Sequence, residues 1–317
     1  MQDLRFRNGD TLPALGLGTW KSAPGEVGAA VETAIQIGYR HIDCAAIYGN
    51  EAEVGAAIAK CIADGVVTRD DLWITSKLWN NRHRANDVPR GIDKTLDDLG
   101  LDALDLYLIH WPVALGPKVG RPEQPGDYLS LEEVPLMETW EAMEKLVDAG
   151  KARHIGVSNY SLPKLETHLE ARIVPEMNQV ELHPYLQQSE LVAFGQTHGI
   201  HITGYSPLGS ADRPDGMKAA DEPVLLADPE IARIAEEVGA TPAQVLLAWG
   251  LQRSTSVIPK SVNKDRMAQN LAAAEIELPA SAMTAIAALD RHRRYITGKF
   301  WEMPGGPYTV ASLWDEA

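Results

Sequence analysis

The stretch GLGTWK, residues 16–21, decides between the two folds that the rest of the chain permits. A doubly wound parallel sheet usually carries the pattern G-x-G-x-x-G after its first strand, where each glycine lets the backbone turn or pack closely. This stretch has the first two glycines, Gly16 and Gly18, but Lys21 stands where the third is required. The doubly wound sheet therefore lacks its signature, and a closed barrel of parallel strands is favoured.

Eight strand-like runs extend outward from this stretch, most of them separated by helical patterns. The runs cover residues 14–20, 41–44, 72–78, 104–111, 153–159, 176–183, 201–207 and 255–261. Strands that alternate with helices along 317 residues predict an α/β fold of the (β/α)8 TIM-barrel type. No shift in composition marks a second domain, so we expect one domain over residues 1–317.

The remaining segments have clear boundaries. Asn8-Gly9 lies between two short alternating runs and predicts an N-terminal β-hairpin. The tetrapeptide 241–244, Thr-Pro-Ala-Gln, predicts a helix start with a capping box. The spacing in 136–150 predicts a helix that ends at a glycine. Two long connections, 112–135 and 208–229, should lie over the carboxyl-terminal face of the barrel.

Composition and charge exclude several classes of function. The chain has 29 basic and 44 acidic residues, a net charge of −15, which disfavours nucleic acid and anionic membranes as partners. Any anionic ligand must therefore be held by a local cluster of Lys and Arg. No apolar run is long enough for a membrane span, and the N-terminus lacks a signal peptide. Cys44 and Cys61 form no disulfide framework, so we expect a cytoplasmic protein.

Polar or ionisable residues stand at the carboxyl end of nearly every predicted strand. Taken singly, each has an ordinary interpretation, such as a helix cap, a surface cation or a packed side chain. Because the carboxyl ends of barrel strands share one face, together they predict a ligand site there. The set is Asp43, Lys77, His110, Ser158, Asn159, Gln179, Tyr205, Ser206, Lys260 and Ser261, with Tyr48 on the loop after the second run.

The chain resembles the aldo-keto reductases over essentially its whole length. The resemblance rests on ordered motifs that include GLGTW, GYRHIDCAAIYGNEAEVG, ITSKLW, LDLYLIHWP, IGVSN, NQVELHPYLQQ, GYSPLG and VIPKSVNKDRMAQN. It implies reversible hydride transfer between NADPH and a carbonyl, with NADH as the weaker cofactor. The family binds its nucleotide without the Rossmann motif, which agrees with the missing third glycine.

The resemblance also implies four catalytic residues. Reduction of a carbonyl creates an alkoxide that needs a positioned acid. The resemblance assigns that role to Tyr48, with Lys77 lowering the pKa of the phenol, Asp43 holding the lysine and His110 orienting the carbonyl. A cation near a phenol lowers its pKa, which gives the arrangement a physical basis.

Cofactor contacts follow from the same resemblance. Ser158, Asn159 and Gln179 would bind the nicotinamide carboxamide, and Tyr205 would stack on the ring. The other residues would line the pyrophosphate or hold the adenosine end, although the segment 263–270 alone reads as an ordinary charged helix start. The full assignment is Thr19, Trp20, Asp43, Ser158, Asn159, Gln179, Tyr205, Ser206, Leu208, Ser210, Lys260, Ser261, Val262, Arg266, Gln269 and Asn270.

Aromatic residues are expected to form the substrate pocket, although each tryptophan singly fits core packing equally well. The tail, 298–317, lies outside every cofactor motif and should set the substrate range. The expected partner is a small carbonyl or alcohol, bound by a monomer without any metal, because the histidines lack metal-ligand spacing. The predicted substrate-binding set is Trp20, Tyr48, Trp79, His110, Trp111, Phe300 and Trp301.

Two other functions compete with a reductase. A nucleotide-sensing subunit of the same fold would bind the cofactor without turnover, but all four catalytic residues are present here. A barrel enzyme acting on sugar phosphates would carry a glycine-rich phosphate loop after its seventh and eighth strands, and GYSPLGS and VIPKSVNKDR match that poorly. The sequence leaves the substrate and the preferred direction open.

Overall fold

A computed structural model describes residues 3–220 and 222–316 of the chain. The predicted domain, the 208–229 connection and the tail therefore each include positions outside the described residues. In the described part of the chain, no helix is both long enough and apolar enough to cross a membrane.

The strands and helices alternate along the chain as the pattern predicted. The strands are β1 (Asp3–Arg5), β2 (Thr11–Pro13), β3 (Leu17–Gly18), β4 (His41–Asp43), β5 (Trp73–Leu78), β6 (Leu104–Ile109), β7 (Ala114–Leu115), β8 (Tyr128–Leu129), β9 (Ala152–Ser158), β10 (Met177–Glu181), β11 (His201–Tyr205) and β12 (Ser256–Val257). The α-helices are α1 (Val27–Ile37), α2 (Glu51–Ala63), α3 (Val88–Leu99), α4 (Leu136–Asp148), α5 (Leu162–Glu166), α6 (Ser189–His198), α7 (Pro229–Val238), α8 (Pro242–Gln252), α9 (Lys264–Ala272), α10 (Ala280–Ala287) and α11 (Val310–Trp314).

Eight of these strands form one parallel sheet that closes on itself. The order is β3-β4-β5-β6-β9-β10-β11-β12. The ends join where the amide of Gly16 donates to Val257 O at 2.9 Å and the amide of Gly18 donates to Pro259 O at 3.1 Å. The predicted (β/α)8 barrel is confirmed.

The two glycines of GLGTWK are needed for this closure. A Cβ at Gly18 would lie 2.8 Å from Ile258 O, on the backbone of the last strand's extension. A Cβ at Gly16 would lie 2.5 Å from Nδ1 of His41. Both positions exclude a side chain because the first strand packs closely against its neighbours. Gly16 and Gly18 therefore allow the first and last strands of the barrel to pair, and they do not form a dinucleotide-binding loop.

The predicted runs extend past several observed strands at their carboxyl ends. The run 14–20 contains only Leu17–Gly18 as strand, and 255–261 contains only Ser256–Val257. Isolated parallel bridges continue the pairing outside these short strands, between Leu15 and Val257 and between Gly18 and Lys260, although Pro259 has no N–H to donate. Residues 19–20 and 261 lie beyond these bridges, in the loops of the carboxyl-terminal face.

The predicted hairpin is confirmed, and it covers the amino-terminal end of the barrel. Strands β1 and β2 pair antiparallel around Gly9, whose φ of 97° is one that glycine adopts easily. Phe6 packs its ring 5.0 Å from that of Trp73 and 4.3 Å from that of His154. These aromatic contacts bury the amino ends of β5 and β9.

The helix boundaries also follow the sequence signals. At the start of α8, Thr241 Oγ1 accepts the amide of Gln244, and Gln244 Oε1 accepts the amide of Thr241. Helix α4 ends just before Gly150, which has a φ of 68°. Both predictions are confirmed.

The two long connections are ordered by specific contacts. The connection 112–135 contains the antiparallel pair β7 and β8, which the sequence did not predict because each strand has only two residues. The connection 208–229 folds around Arg213, whose buried guanidinium pairs with Glu222 and lies 5.1 Å from the ring of Tyr295. Both connections lie on the side of the barrel where β6 and β11 end.

Candidate active site

An ion pair lies at the centre of the carboxyl-terminal face. The ammonium of Lys77, on β5, donates to Asp43 Oδ1 at 2.5 Å and to Cys44 O at 2.8 Å. Both side chains of the pair are about 1% exposed. A buried pair of this kind persists only when its remaining polar atoms are also satisfied, and Gln179 Nε2 donates to Asp43 Oδ2 at 2.7 Å.

Tyr48 lies beside this pair on a short turn. The turn Ala46–Tyr48 is a single 3-10 helix that ends at Gly49, whose φ is 69°. The Lys77 ammonium lies 5.4 Å from the centroid of the Tyr48 ring. The Tyr48 ring meets that of His110 edge-on, with centroids 5.9 Å apart. The structure therefore brings Asp43, Tyr48, Lys77 and His110 together.

The pKa of Tyr48 differs in direction from the expectation. Burial, and then the negative charge of Asp43, raise the pKa of the Tyr48 phenol well above its ordinary value. The Lys77 ammonium, 5.4 Å from the ring centroid, favours the phenolate but does not outweigh burial. The expected lowering of the Tyr48 pKa by Lys77 is thus not seen. In the protein as described, Tyr48 is a protonated phenol at neutral pH.

His110 is held as a neutral ring. Burial lowers the pKa of His110 well below its usual value, and the nearby charges of Lys77 and His83 act in the same direction. Its backbone is fixed from two sides, since its amide donates to Leu78 O at 3.1 Å and its carbonyl accepts Asn159 Nδ2 at 2.9 Å. The neutral ring can donate one hydrogen bond to a carbonyl oxygen.

A hydrogen-bond network links this group to the predicted carboxamide residues. Tyr205 OH donates to Asn159 Oδ1 at 2.8 Å, and Ser158 Oγ donates to Gln179 O at 2.7 Å. The backbone N–H of Asn159 donates to the backbone carbonyl of Gln179 at 2.9 Å. Several donors of Ser158, Asn159 and Gln179 are therefore used within the protein. The network fixes the orientation of these side chains at the site.

The backbone at the site adopts unusual conformations. Among the described residues, eight non-glycine positions have positive φ, and four of these belong to the carboxyl-terminal face. They are Lys21, Asn159, Ser206 and Ser210, with φ between 48° and 65°. Such conformations are costly and cluster at functional sites. This strain marks the same loops that the strand-end pattern singled out.

Sequence reasoning missed a link across the predicted pyrophosphate region. The ammonium of Lys21 contacts Asp212 Oδ1 at 2.6 Å and Ser210 Oγ at 2.8 Å, which joins the loop after β3 to the loop after β11. Burial lowers the pKa of Lys21, and the charges of Lys260 and Arg213 act in the same direction. These three cations therefore lie near one another on a protein of net charge −15. Arg213 is buried against Glu222, so Lys21 and Lys260 are the members of this group that can meet an anionic ligand.

The residues predicted to hold the adenosine end lie around the start of α9. Asn263 Oδ1 accepts the amide of Arg266 at 3.0 Å, and Ser261 Oγ accepts the amide of Asn263 at 3.1 Å. The side chains of Arg266 and Gln269 are exposed. The amino end of this nine-residue helix is capped by a neutral side chain, and such a helix end can attract a phosphate. Val262 and Lys260 are half-buried beside this turn, and Asn270 is buried behind it.

The aromatic residues of the predicted substrate-binding set lie near one another, but they differ in how far they are exposed. Trp79 meets His110 edge-on at 5.3 Å, and Trp20 stacks against Tyr48 at 6.4 Å, both as centroid distances. Trp111 and Trp301 are largely buried and pack against each other at 5.9 Å. Phe300 is 45% exposed at the rim.

The tail is fixed to the barrel by contacts that involve residues absent from the predicted set. Trp314 Nε1 donates to Thr297 O at 2.8 Å, and its ring packs against Trp111 at 5.9 Å. Asp315 accepts the ammonium of Lys164, on α5, at 2.5 Å. The tail is therefore packed against Trp111, next to the aromatic residues of the site.

Metal and thiol chemistry receive no support from the described residues. In residues 3–220 and 222–316, no group of three His, Cys, Asp or Glu side chains is placed to hold a metal ion. Cys44 is buried next to Asp43, and burial raises the pKa of its thiol well above the usual value. A thiol in that state is a poor nucleophile, so Cys44 acts as a packing residue.

Comparisons with known proteins match this chain to one family. The family described as the aldo/keto reductase family matches residues 14–291. An aldo/keto reductase of Synechocystis sp. is 60% identical over 317 residues, covering 100% of this chain and 97% of the relative. Aldo-keto reductase family 1 member A1 of Gallus gallus is 47% identical over 293 residues (91% and 89%). The Homo sapiens protein of that name is 44% identical over 294 residues (92% and 90%).

Proposed function

The chain belongs to the aldo/keto reductase family of oxidoreductases, and from that membership and the site geometry we propose that it reduces small carbonyl compounds to alcohols with NADPH. The observation that carries the proposal is the buried Lys77–Asp43 pair beside Tyr48 and His110. The reaction is reversible, and aldehydes, ketones or aldoses are the substrate class.

The acid step follows from the state of the four residues. Tyr48 is protonated at neutral pH and half-buried at the site, so it can give a proton to the oxygen of a bound carbonyl. The resulting phenolate is stabilised by the nearby Lys77 ammonium, which Asp43 holds in place. His110 donates a hydrogen bond to the same oxygen from its neutral ring. In alcohol oxidation the proton moves back along the same path.

The donor set suits a nicotinamide nucleotide with an additional phosphate. Lys21 and Lys260 can hold the pyrophosphate, and the start of α9 with Arg266 can hold the adenosine phosphate. Gln179 and Asn159 can fix the carboxamide. When bound, NADPH supplies the hydride that adds to the carbonyl carbon.

The test is a substrate panel followed by nicotinamide absorbance. Purified protein should oxidise NADPH with at least one simple aldehyde, and reduce NADP⁺ with the matching alcohol. Binding of NADPH without turnover of any carbonyl would instead support a non-catalytic nucleotide-sensing subunit. Oxidation of NADPH only after a metal ion is added would contradict the acid step proposed for Tyr48.

Cofactor preference gives one prediction. Arg266 is exposed at the start of α9, where charge-assisted bonds to the extra phosphate of NADPH would contribute about 1.5–3 kcal/mol. We expect kcat/KM for NADPH to exceed that for NADH about tenfold or more. Arg266→Ala should remove most of this preference while kcat/KM with NADH barely changes. Arg172→Ala, which removes an arginine paired with Asp148, is the control and should keep the preference. Equal kcat/KM with both cofactors in the wild type would contradict the assignment.

The Lys21–Asp212 link gives a second prediction. Lys21 is mostly buried and Asp212 mostly exposed, so the pair is worth about 1 kcal/mol or less. Asp212→Asn should therefore speed NADP⁺ release up to about fivefold in stopped-flow fluorescence. Asp215→Asn is the matched control, because it removes a carboxylate of the same loop that pairs with Lys218 and not with Lys21 among the described residues. Identical release rates in the two variants would show that the link does not retain the nucleotide.

A further inference from the structure

Glu51 is a buried carboxyl that the reaction described above does not use. It begins α2, three residues after Tyr48, and only 3% of its surface is exposed. A glutamate in the first turn of a helix is normally exposed, where it interacts with the helix dipole and water. Its burial next to the site therefore requires an explanation.

Two hydroxyl groups hold the Glu51 side chain. Ser76 Oγ donates to Oε1 at 2.5 Å, and Thr95 Oγ1 donates to Oε2 at 3.2 Å. Ser76 precedes Lys77 on β5, and successive side chains of a strand point to opposite faces. Glu51 therefore ties the Tyr48 turn to β5 from the face opposite Lys77. The two catalytic elements are fixed relative to each other by this contact.

No cation pairs directly with Glu51 among the described residues, although a buried carboxylate is costly without one. Burial raises the pKa of Glu51 to about 7, although the two hydroxyls and Lys77 favour the charged form. Glu51 therefore changes charge near neutral pH, in the middle of other titratable groups. Those near it are Cys44 after β4, Tyr48 on the turn, Lys77 on β5, Asp98 on α3 and Tyr107 on β6.

Resting on the function proposed above, we propose that Glu51 is a positioning residue for the proton donor: it holds the Tyr48 turn against β5, and its charge state adjusts how readily Tyr48 releases its proton. A negative Glu51 disfavours the phenolate, because it adds a like charge near Tyr48. As pH rises through about 7, the wild type therefore keeps Tyr48 protonated more strongly than a variant with a neutral residue 51.

The test compares Glu51→Gln and Glu51→Ala. In Glu51→Gln, the pH at which kcat for carbonyl reduction falls should move down by about half a unit to one unit. Glu51→Ala should lose about tenfold or more in kcat with an unchanged Kd for NADPH, because only the Tyr48 turn is loosened. Most of this loss should be absent in Glu51→Gln. Glu144→Gln, at a buried glutamate of α4 that accepts the amide of Ile173 at 2.8 Å, is the matched control.

A second readout needs no turnover. The pKa of Glu51 is raised in the folded state, so its contribution to stability is full below about 4.5 and is lost as pH rises through about 7. The Tm of Glu51→Gln relative to that of the wild type should therefore increase as pH rises across this window. The Tm of Glu144→Gln relative to the wild type should not show this increase. Should Glu51→Ala fail to fold, Ser76→Ala removes the same tie and should lower kcat severalfold.

The outcomes separate this proposal from the proposed function. An unchanged pH profile in Glu51→Gln, together with full kcat in Ser76→Ala, would overturn the positioning role while the reductase stands. Absence of turnover with every carbonyl would overturn the proposed function and the positioning role with it, and the Tm comparison would still report whether Glu51 titrates near neutrality.

Discussion

Tyr48→Phe should lose about a thousandfold or more of kcat for carbonyl reduction, because it removes the one positioned proton donor. The ring keeps its contacts with Trp20 and His110, so the pocket should keep its shape. The Kd for NADPH should stay within about twofold, since the phenol OH takes part in none of the described hydrogen bonds of the cofactor region. Single-turnover absorbance and fluorescence titration measure the two quantities separately.

A matched tyrosine provides the control for this variant. Tyr160 is buried on the barrel, and its OH has no hydrogen-bond partner among the described residues. Tyr160→Phe removes the same atom from a place outside the site, so it should leave kcat unchanged. A Tyr48→Phe enzyme with the kcat of Tyr160→Phe would show that another group supplies the proton.

Lys77→Met should damage both stability and activity. The substitution leaves the carboxylate of Asp43 buried without its cation, and breaking a buried pair in this way costs about 3–5 kcal/mol. The phenolate of Tyr48 also loses the charge that stabilises it, so kcat should fall at least about a hundredfold. Denaturant unfolding and steady-state kinetics measure the two effects.

The double variant Lys77→Met, Asp43→Asn separates these two effects. Neutralising Asp43 removes the unpaired charge, so much of the lost free energy of unfolding should return. Activity should stay low, because the cation near Tyr48 is still missing. Recovery of activity along with stability would show that Lys77 serves only to keep the site folded.

The fold could be predicted because its signals are local and repeated. The polar residues at the strand ends, such as Asp43, Lys77 and Gln179, mark where each strand leaves the apolar interior, and the barrel brings those ends together. The absence of a third glycine, since Lys21 stands at that position, distinguished the barrel from the doubly wound sheet. The lengths of β3 and β12 were overestimated because the pattern of apolar and polar residues does not show where regular hydrogen bonding between strands ends.

Other features depended on contacts between distant parts of the chain. The Lys21–Asp212 link joins residues 191 positions apart, and no local pattern indicates that the two side chains meet. The Glu51 side chain is buried where it accepts hydrogen bonds from Ser76 on β5 and Thr95 on α3, and a helix-start pattern does not reveal these contacts. The direction of the Tyr48 pKa was mistaken because the sequence places a cation nearby but does not show how strongly burial opposes it.

The most direct test of the account follows a deuterium label from the cofactor to the product. The protein is incubated with NADPH deuterated at the transferable position and a simple aldehyde, and the alcohol is analysed by mass spectrometry. We expect one deuterium at the former carbonyl carbon for each NADPH oxidised by the wild type, with a rate about a thousandfold lower in Tyr48→Phe. Alcohol without the label, or equal rates of labelling in the wild type and Tyr48→Phe, would contradict hydride transfer with Tyr48 as the acid.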